Sequence, residues 1–213
     1  MKVLPFGDRA LLAEFDSLHE TMAAFRSLDA QRRPGLVELV PAARTVLVEV
    51  DPELLSLRAA EQWLRAASDS QRLAVADTIA AKPVVIPVCY NGPDILDAAA
   101  ILGISANELI SRHSLAEWRC AFIGFAPGFA YLASEYADFS MSRRKTSRPS
   151  VPAGSVGLAG EFTGIYPRSS PGGWQLIGTT DATLWDETRW DESSVTPAMI
   201  SPGTIVRFEV VEP

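Results

Sequence analysis

The spacing of apolar residues predicts a compact mixed unit over residues 1–82. Short apolar runs at Lys2–Phe6, Ala10–Phe15, Val37–Val40 and Thr45–Val50 read as strands. Between the second and third runs, Ser17 with Glu20 three residues on makes a capping box. Leu18, Met22, Phe25 and Leu28 then share one helical face until Pro34-Gly35 stops the helix. Pro41-Ala-Ala-Arg44 is a hairpin-like turn, and Ser56 caps a second helix striped by Leu57, Ala60, Leu64 and Ala67. The order ββαββα is that of a small α/β sandwich.

The pattern changes at Lys82-Pro83. Val84–Val88 is a strong strand, Asn91-Gly-Pro93 opens a helix through Leu102, and Gly103 sits where a C′ glycine ends one. Ser105 and Glu108 make another capping box, leading to His113. From Trp118 onward short apolar runs recur about every 8–12 residues between Gly, Pro, Ser and Asp, the spacing of consecutive strands. Nine of the 14 glycines lie between Gly124 and Gly178, each followed closely by Val, Ile, Leu, Phe, Tyr or Trp. Such segments are turns and bulges between buried strands rather than a linker. The expectation is an α+β chain, with residues 83–213 forming a closed or nearly closed β-barrel.

Composition narrows the function classes. A net charge of −7 removes the basic face of a nucleic-acid binder. Cys89 and Cys120 stand apart in apolar surroundings and read as buried free thiols. No apolar run suits a signal peptide or membrane span, so a cytoplasmic protein is expected. There is no P-loop, and Gly154-Ser-Val-Gly157 is not a nucleophile elbow because glycine directly precedes the serine. Neither of the two histidines has a second His or Cys at ligand spacing, so no metal site is expected.

Several residues remain as candidates for chemistry. His113 is a general base or hydrogen-bond donor by its near-neutral pKa, or else a helix-end histidine bonded to the last carbonyls. Ser155, in the turn after Pro152, and the neighbouring N–H groups at Gly154 form a candidate anion nest, or a turn-stabilising serine. Arg143, Arg144, Lys145 and Arg148 put four positive charges within six residues of an acidic chain. Guanidinium forks suit carboxylate or phosphate, and Arg148 is the preferred carboxylate partner. Tyr166, Gly172, Gly173 and Trp174 lie at turns where amphipathic rings can line a pocket.

Gly124-Phe-Ala-Pro-Gly-Phe-Ala-Tyr-Leu132, Val151-Pro-Ala-Gly-Ser-Val-Gly-Leu-Ala-Gly160, Thr163-Gly-Ile-Tyr-Pro167 and Ser170-Pro-Gly-Gly-Trp174 resemble the family of bacterial 5-oxoprolinase B subunits. That family is also called allophanate hydrolase subunit 1, or KipI after its kinase-inhibitor member. Pro5-Phe-Gly-Asp-Arg-Ala-Leu-Leu12 and Arg44-Thr-Val-Leu-Val-Glu-Val-Asp-Pro52 extend the resemblance to the amino terminus. It implies a cyclophilin-like fold for the barrel, and as partners a homologous C subunit, also cyclophilin-like, with a metal-dependent A subunit. Together these cleave 5-oxoproline to glutamate with ATP, a cofactor of the complex with no evident site in this chain. Under this reading Arg148 with Arg143 takes the substrate carboxylate, Ser155 and nearby N–H groups an oxyanion, and His113 a proton. Pro152, Gly154, Tyr166, Gly172, Gly173 and Trp174 complete the substrate site. The alternatives are a KipI-like inhibitor of a sensor histidine kinase and an accessory to urea or allophanate breakdown. The chain departs from the family pattern at Ser142 and Ser147, which replace prolines and are expected to loosen the loop. It departs also at Phe162, which replaces a glutamine, and at Thr179, which replaces an arginine.

Overall fold

A computed structural model of the chain describes residues 1–70, 82–134, 137, 139–189 and 197–212. It divides into two compact units, Met1–Thr78 and Ile79–Pro213.

In the first unit, β1 (Lys2–Phe6), β2 (Ala10–Glu14), β3 (Leu36–Pro41) and β4 (Thr45–Val50) form an antiparallel sheet in the order β1-β2-β4-β3. The helices α1 (Leu18–Ala30) and α2 (Leu57–Ser70) pack on it. Ser17 Oγ accepts from the Glu20 N–H at 3.2 Å, as the capping pattern predicts. The Glu20 carboxylate, however, reaches back to the N–H of Asp16. Of the expected Leu18-Met22-Phe25-Leu28 face, Leu28 is buried, and it is joined by Thr21 and Ala24, each one position before Met22 and Phe25. Thr21 can be buried because its hydroxyl donates to the Ser17 carbonyl at 2.8 Å. Along α2 the expected Ala60, Leu64 and Ala67 are buried, joined by Trp63.

The second unit opens with β5 (Val84–Val88), α3 (Ile95–Leu102) and α4 (Ala106–Leu115). Gly103 ends α3 in the left-handed region, and Ser105 Oγ caps α4 through the Glu108 N–H at 3.1 Å. The strands β6 (Trp118–Ile123), β7 (Ala130–Ala133), β9 (Ser155–Ala159), β10 (Phe162–Ile165), β12 (Gln175–Thr179) and β13 (Ile205–Val210) join β5 in a seven-stranded sheet. Its order is β12-β9-β10-β7-β6-β13-β5. The two edges meet where Cys89 and Thr179 exchange backbone hydrogen bonds of 2.9 and 2.8 Å, so the sheet curls into a nearly closed barrel. Closure removes the exposed edges that a flat sheet of this width would offer. A short ribbon, β8 (Arg148–Val151) with β11 (Ser170–Gly172), lies outside this sheet. Ile86, Val88, Trp118, Leu132, Val156, Leu158, Ile177 and Val206 fill the barrel.

The barrel core predicts a contrast. Replacing the fully buried Leu132 by alanine costs about 2–5 kcal/mol in denaturant unfolding. Replacing Leu96, 73% exposed on α3, changes stability by less than about 0.5 kcal/mol. Equal effects would mean that Leu132 is not packed as described.

Candidate functional site

Asp94 stands at the N-cap position of α3 but does not cap it. Its carboxylate turns inward and is 3% exposed. Oδ1 accepts from Arg144 Nη1 at 2.6 Å and from Arg148 Nη2 at 2.7 Å, and Oδ2 accepts the Leu176 N–H of β12 at 2.7 Å. Burial by itself would raise its pKa. The hydrogen bonds from Arg148 and Leu176, with the two guanidinium charges, outweigh that and hold the carboxyl below its ordinary range. Nothing in the local sequence marks Asp94, because its arginine partners lie 50 and 54 residues away.

This node fastens the loop that carries the basic cluster. The Arg144 N–H also donates to the Gly173 carbonyl at 2.8 Å, and Gln175 Nε2 donates to the Ser142 carbonyl at 3.2 Å. The loosening expected from serines at 142 and 147 is therefore offset by ion pairs and backbone bonds. Arg148 is engaged by an internal carboxylate and does not line the cavity beside it. Arg143 does.

That cavity, of about 220 Å³, is walled by Phe125, Phe129, Tyr131, Tyr166 and Trp174, with Arg143, Ser147 and Pro171-Gly172-Gly173 completing it. Of the residues expected to bind substrate, Arg143, Tyr166, Gly172, Gly173 and Trp174 come together here, while Arg148, Pro152 and Gly154 lie elsewhere. The rings brace one another edge to face. Phe129 meets Tyr166 at 5.2 Å and Trp174 at 5.3 Å, and Tyr131 meets Trp174 at 5.6 Å. Phe162, the departure from glutamine, packs edge-on behind Tyr131 at 5.6 Å and so stiffens this wall. The Tyr166 phenol is raised in pKa by burial, an effect opposed by the Trp174 N–H and the charges of Arg143 and Arg148. Burial likewise raises Tyr131, against Arg143. Both phenols therefore remain protonated near neutrality and can donate. Gly172 is required by close approach, since a Cβ there would collide with the Tyr166 hydroxyl.

Ser155 and the expected anion nest are placed differently. Ser155 begins β9 and is buried. Its N–H is directed at the Pro152 carbonyl at 3.3 Å, and the Gly154 N–H donates to the Tyr166 carbonyl at 2.8 Å. The donors expected for an oxyanion are thus engaged in a turn. Gly154 has φ +78 and backs onto the Thr180 carbonyl, so glycine is needed there for the turn itself. Pro152 is exposed on the same turn.

His113 is a core residue. It is fully buried on α4, stacked on Phe208 at 4.5 Å and close to Trp118 at 5.1 Å. Thr163 Oγ1 donates to the Gly157 carbonyl at 3.0 Å, so it accepts from His113 Nε2 at 2.8 Å. His113 Nδ1 is then the acceptor for the Tyr90 hydroxyl at 2.7 Å. Burial pushes the imidazole pKa down to about 3. A neutral ring with both nitrogens engaged inside the barrel ties α4 to β10, and His113 is not among the residues that line the cavity. Cys120 is also buried, its thiol raised to about 12 by desolvation. Thr179, the second departure, sits at the barrel seam, where its hydroxyl meets Asn91 Oδ1 at 2.9 Å. No helix among the described residues is long and apolar enough to cross a membrane.

The chain is thus a small α/β unit followed by a nearly closed barrel unit that carries an aromatic cavity with Arg143 in its lining. Residues 1–195 match the family model "Carboxyltransferase domain, subdomain C and D", and the chain belongs to that family. The 5-oxoprolinase B subunit of Escherichia coli O157:H7 is 40% identical over 179 residues, covering 82% of this chain and 78% of that protein. Among solved structures, TTHA0988 is 33% identical with a TM-score of 0.73; the match covers 96% of this chain and 41% of that longer one. The Kluyveromyces lactis urea amidolyase shares the fold at a TM-score of 0.79 and 22% identity, over 99% of this chain and 15% of that one.

Replacing Asp94 by asparagine leaves two arginines around an uncharged group and should cost about 3–5 kcal/mol of unfolding free energy, measured by denaturant titration. A change below about 1 kcal/mol would show that the node is not a fastening. For His113, the unfolded ring takes up a proton near pH 6.5 that the folded ring refuses until about pH 3. Stability is therefore full above about 6.5 and falls with decreasing pH, by about 1.4 kcal/mol per unit. Asp94, ordinarily titrating at 3.8 and held lower, adds its own loss only in more acid solution. Thermal unfolding between pH 7 and about 4.5 should lose part of its slope in His113→Gln; an unchanged slope contradicts the neutral core assignment.

Proposed function

We propose that this chain is the B subunit of an ATP-dependent 5-oxoprolinase, opening 5-oxoproline to L-glutamate together with A and C subunits. The observation that carries this reading is a cavity of about 220 Å³ with five aromatic rings and Arg143 in its lining. A five-membered lactam acid has a flat apolar body, one carboxylate and one amide. The rings receive the body, Arg143 the carboxylate, and the Tyr131 and Tyr166 phenols offer hydrogen-bond donors to the amide oxygen. Relatedness to the Escherichia coli 5-oxoprolinase B subunit supports the same substrate class.

Among the described residues, the cavity lining holds neither a carboxylate nor a histidine. A lactam amide is weakly electrophilic, and ATP activation of its oxygen makes nitrogen a workable leaving group. The nucleophile, its base and the nucleotide groups are then contributed by the partners, and this chain binds and orients. ATP hydrolysis and the identities of the A and C subunits are parts of this proposal.

Reconstitution tests it. Co-expressed with the A and C subunits, the chain should support ATP-dependent glutamate formation from 5-oxoproline, while the chain alone should not. Arg143→Gln in the complex should raise KM by about ten- to a hundredfold, the loss of one charge-assisted hydrogen bond, with a smaller change in kcat. Turnover by the isolated chain equal to that of the complex, or an unaltered KM, would overturn the reading.

A further inference from the structure

Phe125 is held in a conformation that its residue type disfavours. Its φ is +67, and the Ala126 N–H donates to the Gly124 carbonyl at 2.8 Å across it, closing a γ-turn of the rare, strained hand. Bulky side chains avoid this region. The turn is nevertheless well tied. The Gly124 N–H donates to the Phe129 carbonyl at 3.1 Å, and the Phe129 N–H to the Ala126 carbonyl at 3.0 Å around Pro127-Gly128. Burial does not offset the strain, because Phe125 is 60% exposed. Its ring touches only the edge of the cavity's aromatic wall, at 5.3 Å from Phe129 and 6.3 Å from Tyr166. A glycine at 125 would relieve the backbone and leave the core intact. The sequence instead keeps a large apolar ring at the mouth of the cavity, where strain of this kind accompanies function.

We infer that Phe125 is a specificity-determining residue that makes the cavity prefer a ring-closed monocarboxylate over its open-chain, multiply charged product. This inference rests on the function proposed above. 5-Oxoproline carries one charge, for which Arg143 is available. L-Glutamate carries a second carboxylate and an ammonium group. Against the aromatic wall the second carboxylate would lose water and find no further cation among the described lining residues, a heavy desolvation cost. Aromatic faces also repel carboxylate, being negative at the ring centre. The ring thus shields one side of a bound ring-closed substrate from water and hastens departure of the product.

The test uses the full chain in its complex, with 5-oxoproline and L-glutamate as the probes, and reads the ratio of their Kd values by calorimetry. The unaltered protein should favour 5-oxoproline, and Phe125→Gly should reduce that ratio by about tenfold or more while unfolding no earlier on heating. Phe125→Tyr, which keeps the ring, should retain the ratio. If the glycine variant fails to fold, Phe125→Asn, also tolerant of left-handed backbone, supplies the same readout. An unchanged ratio overturns the role of Phe125 and leaves the proposed function standing. So does loss of the C subunit from the Phe125→Gly complex with the ratio intact, which would make the ring a docking anchor. If the unaltered complex binds no 5-oxoproline, the functional reading fails and this inference falls with it.

Discussion

The buried carboxylate of Asp94 is the constraint on which the site depends. A carboxylate at 3% exposure is tolerable only with strong partners, and it has three: two guanidinium groups and the Leu176 N–H. Those partners belong to the loop and ribbon that build the cavity and to the barrel strand beside them. Arg144 and Arg148 hold the segment that carries Arg143 and Ser147, so fixing them sets those two residues at the cavity. Arg148 also begins β8, whose partner opposite is Gly172 of β11, the residue pressed against Tyr166. One ion cluster therefore connects helix α3, the barrel strand β12, the basic loop and the outer ribbon.

Around this anchor the unit separates polar work from apolar work. His113, Tyr90 and Thr163 form a closed relay of hydrogen bonds inside the barrel, where a charge would be costly, and the imidazole is held neutral. The aromatic cluster of Phe129, Tyr166 and Trp174 forms a second, smaller core that opens at one side. It is this opening that distinguishes a cavity wall from ordinary packing. The same rings that would be interior packing elsewhere become a binding surface because glycines at 172 and 173 bring the ribbon close without filling the space.

The contrast between the serine turn and the arginine loop shows how a charged or polar pattern acquires meaning. Both are candidates for anion binding on the strength of local sequence. In the turn, the N–H groups of Gly154 and Ser155 face carbonyls of Tyr166 and Pro152, so the chain satisfies its own donors. In the loop, two arginines of the cluster share the internal Asp94 carboxylate while Arg143 lines the cavity.

Local and periodic features are legible in the sequence. The caps at Ser17 and Ser105, the left-handed stop at Gly103, the stripe of α2 and the run of short strands after Trp118 all depend on neighbours within a few residues. The buried face of α1 keeps Leu28 of the apolar stripe but takes in Thr21, because that residue can satisfy its hydroxyl against its own helix, which apolar spacing alone does not register. Tertiary structure alone decided that Asp94 is the partner of Arg144 and Arg148, that His113 is interior, and that Arg143 faces the cavity. The outcomes at Asp94 and His113 turn on contacts 50 or more residues apart, and that at Arg143 on ribbon and strand residues outside its own loop, where desolvation and charge pairing select among side chains that look equivalent along the chain.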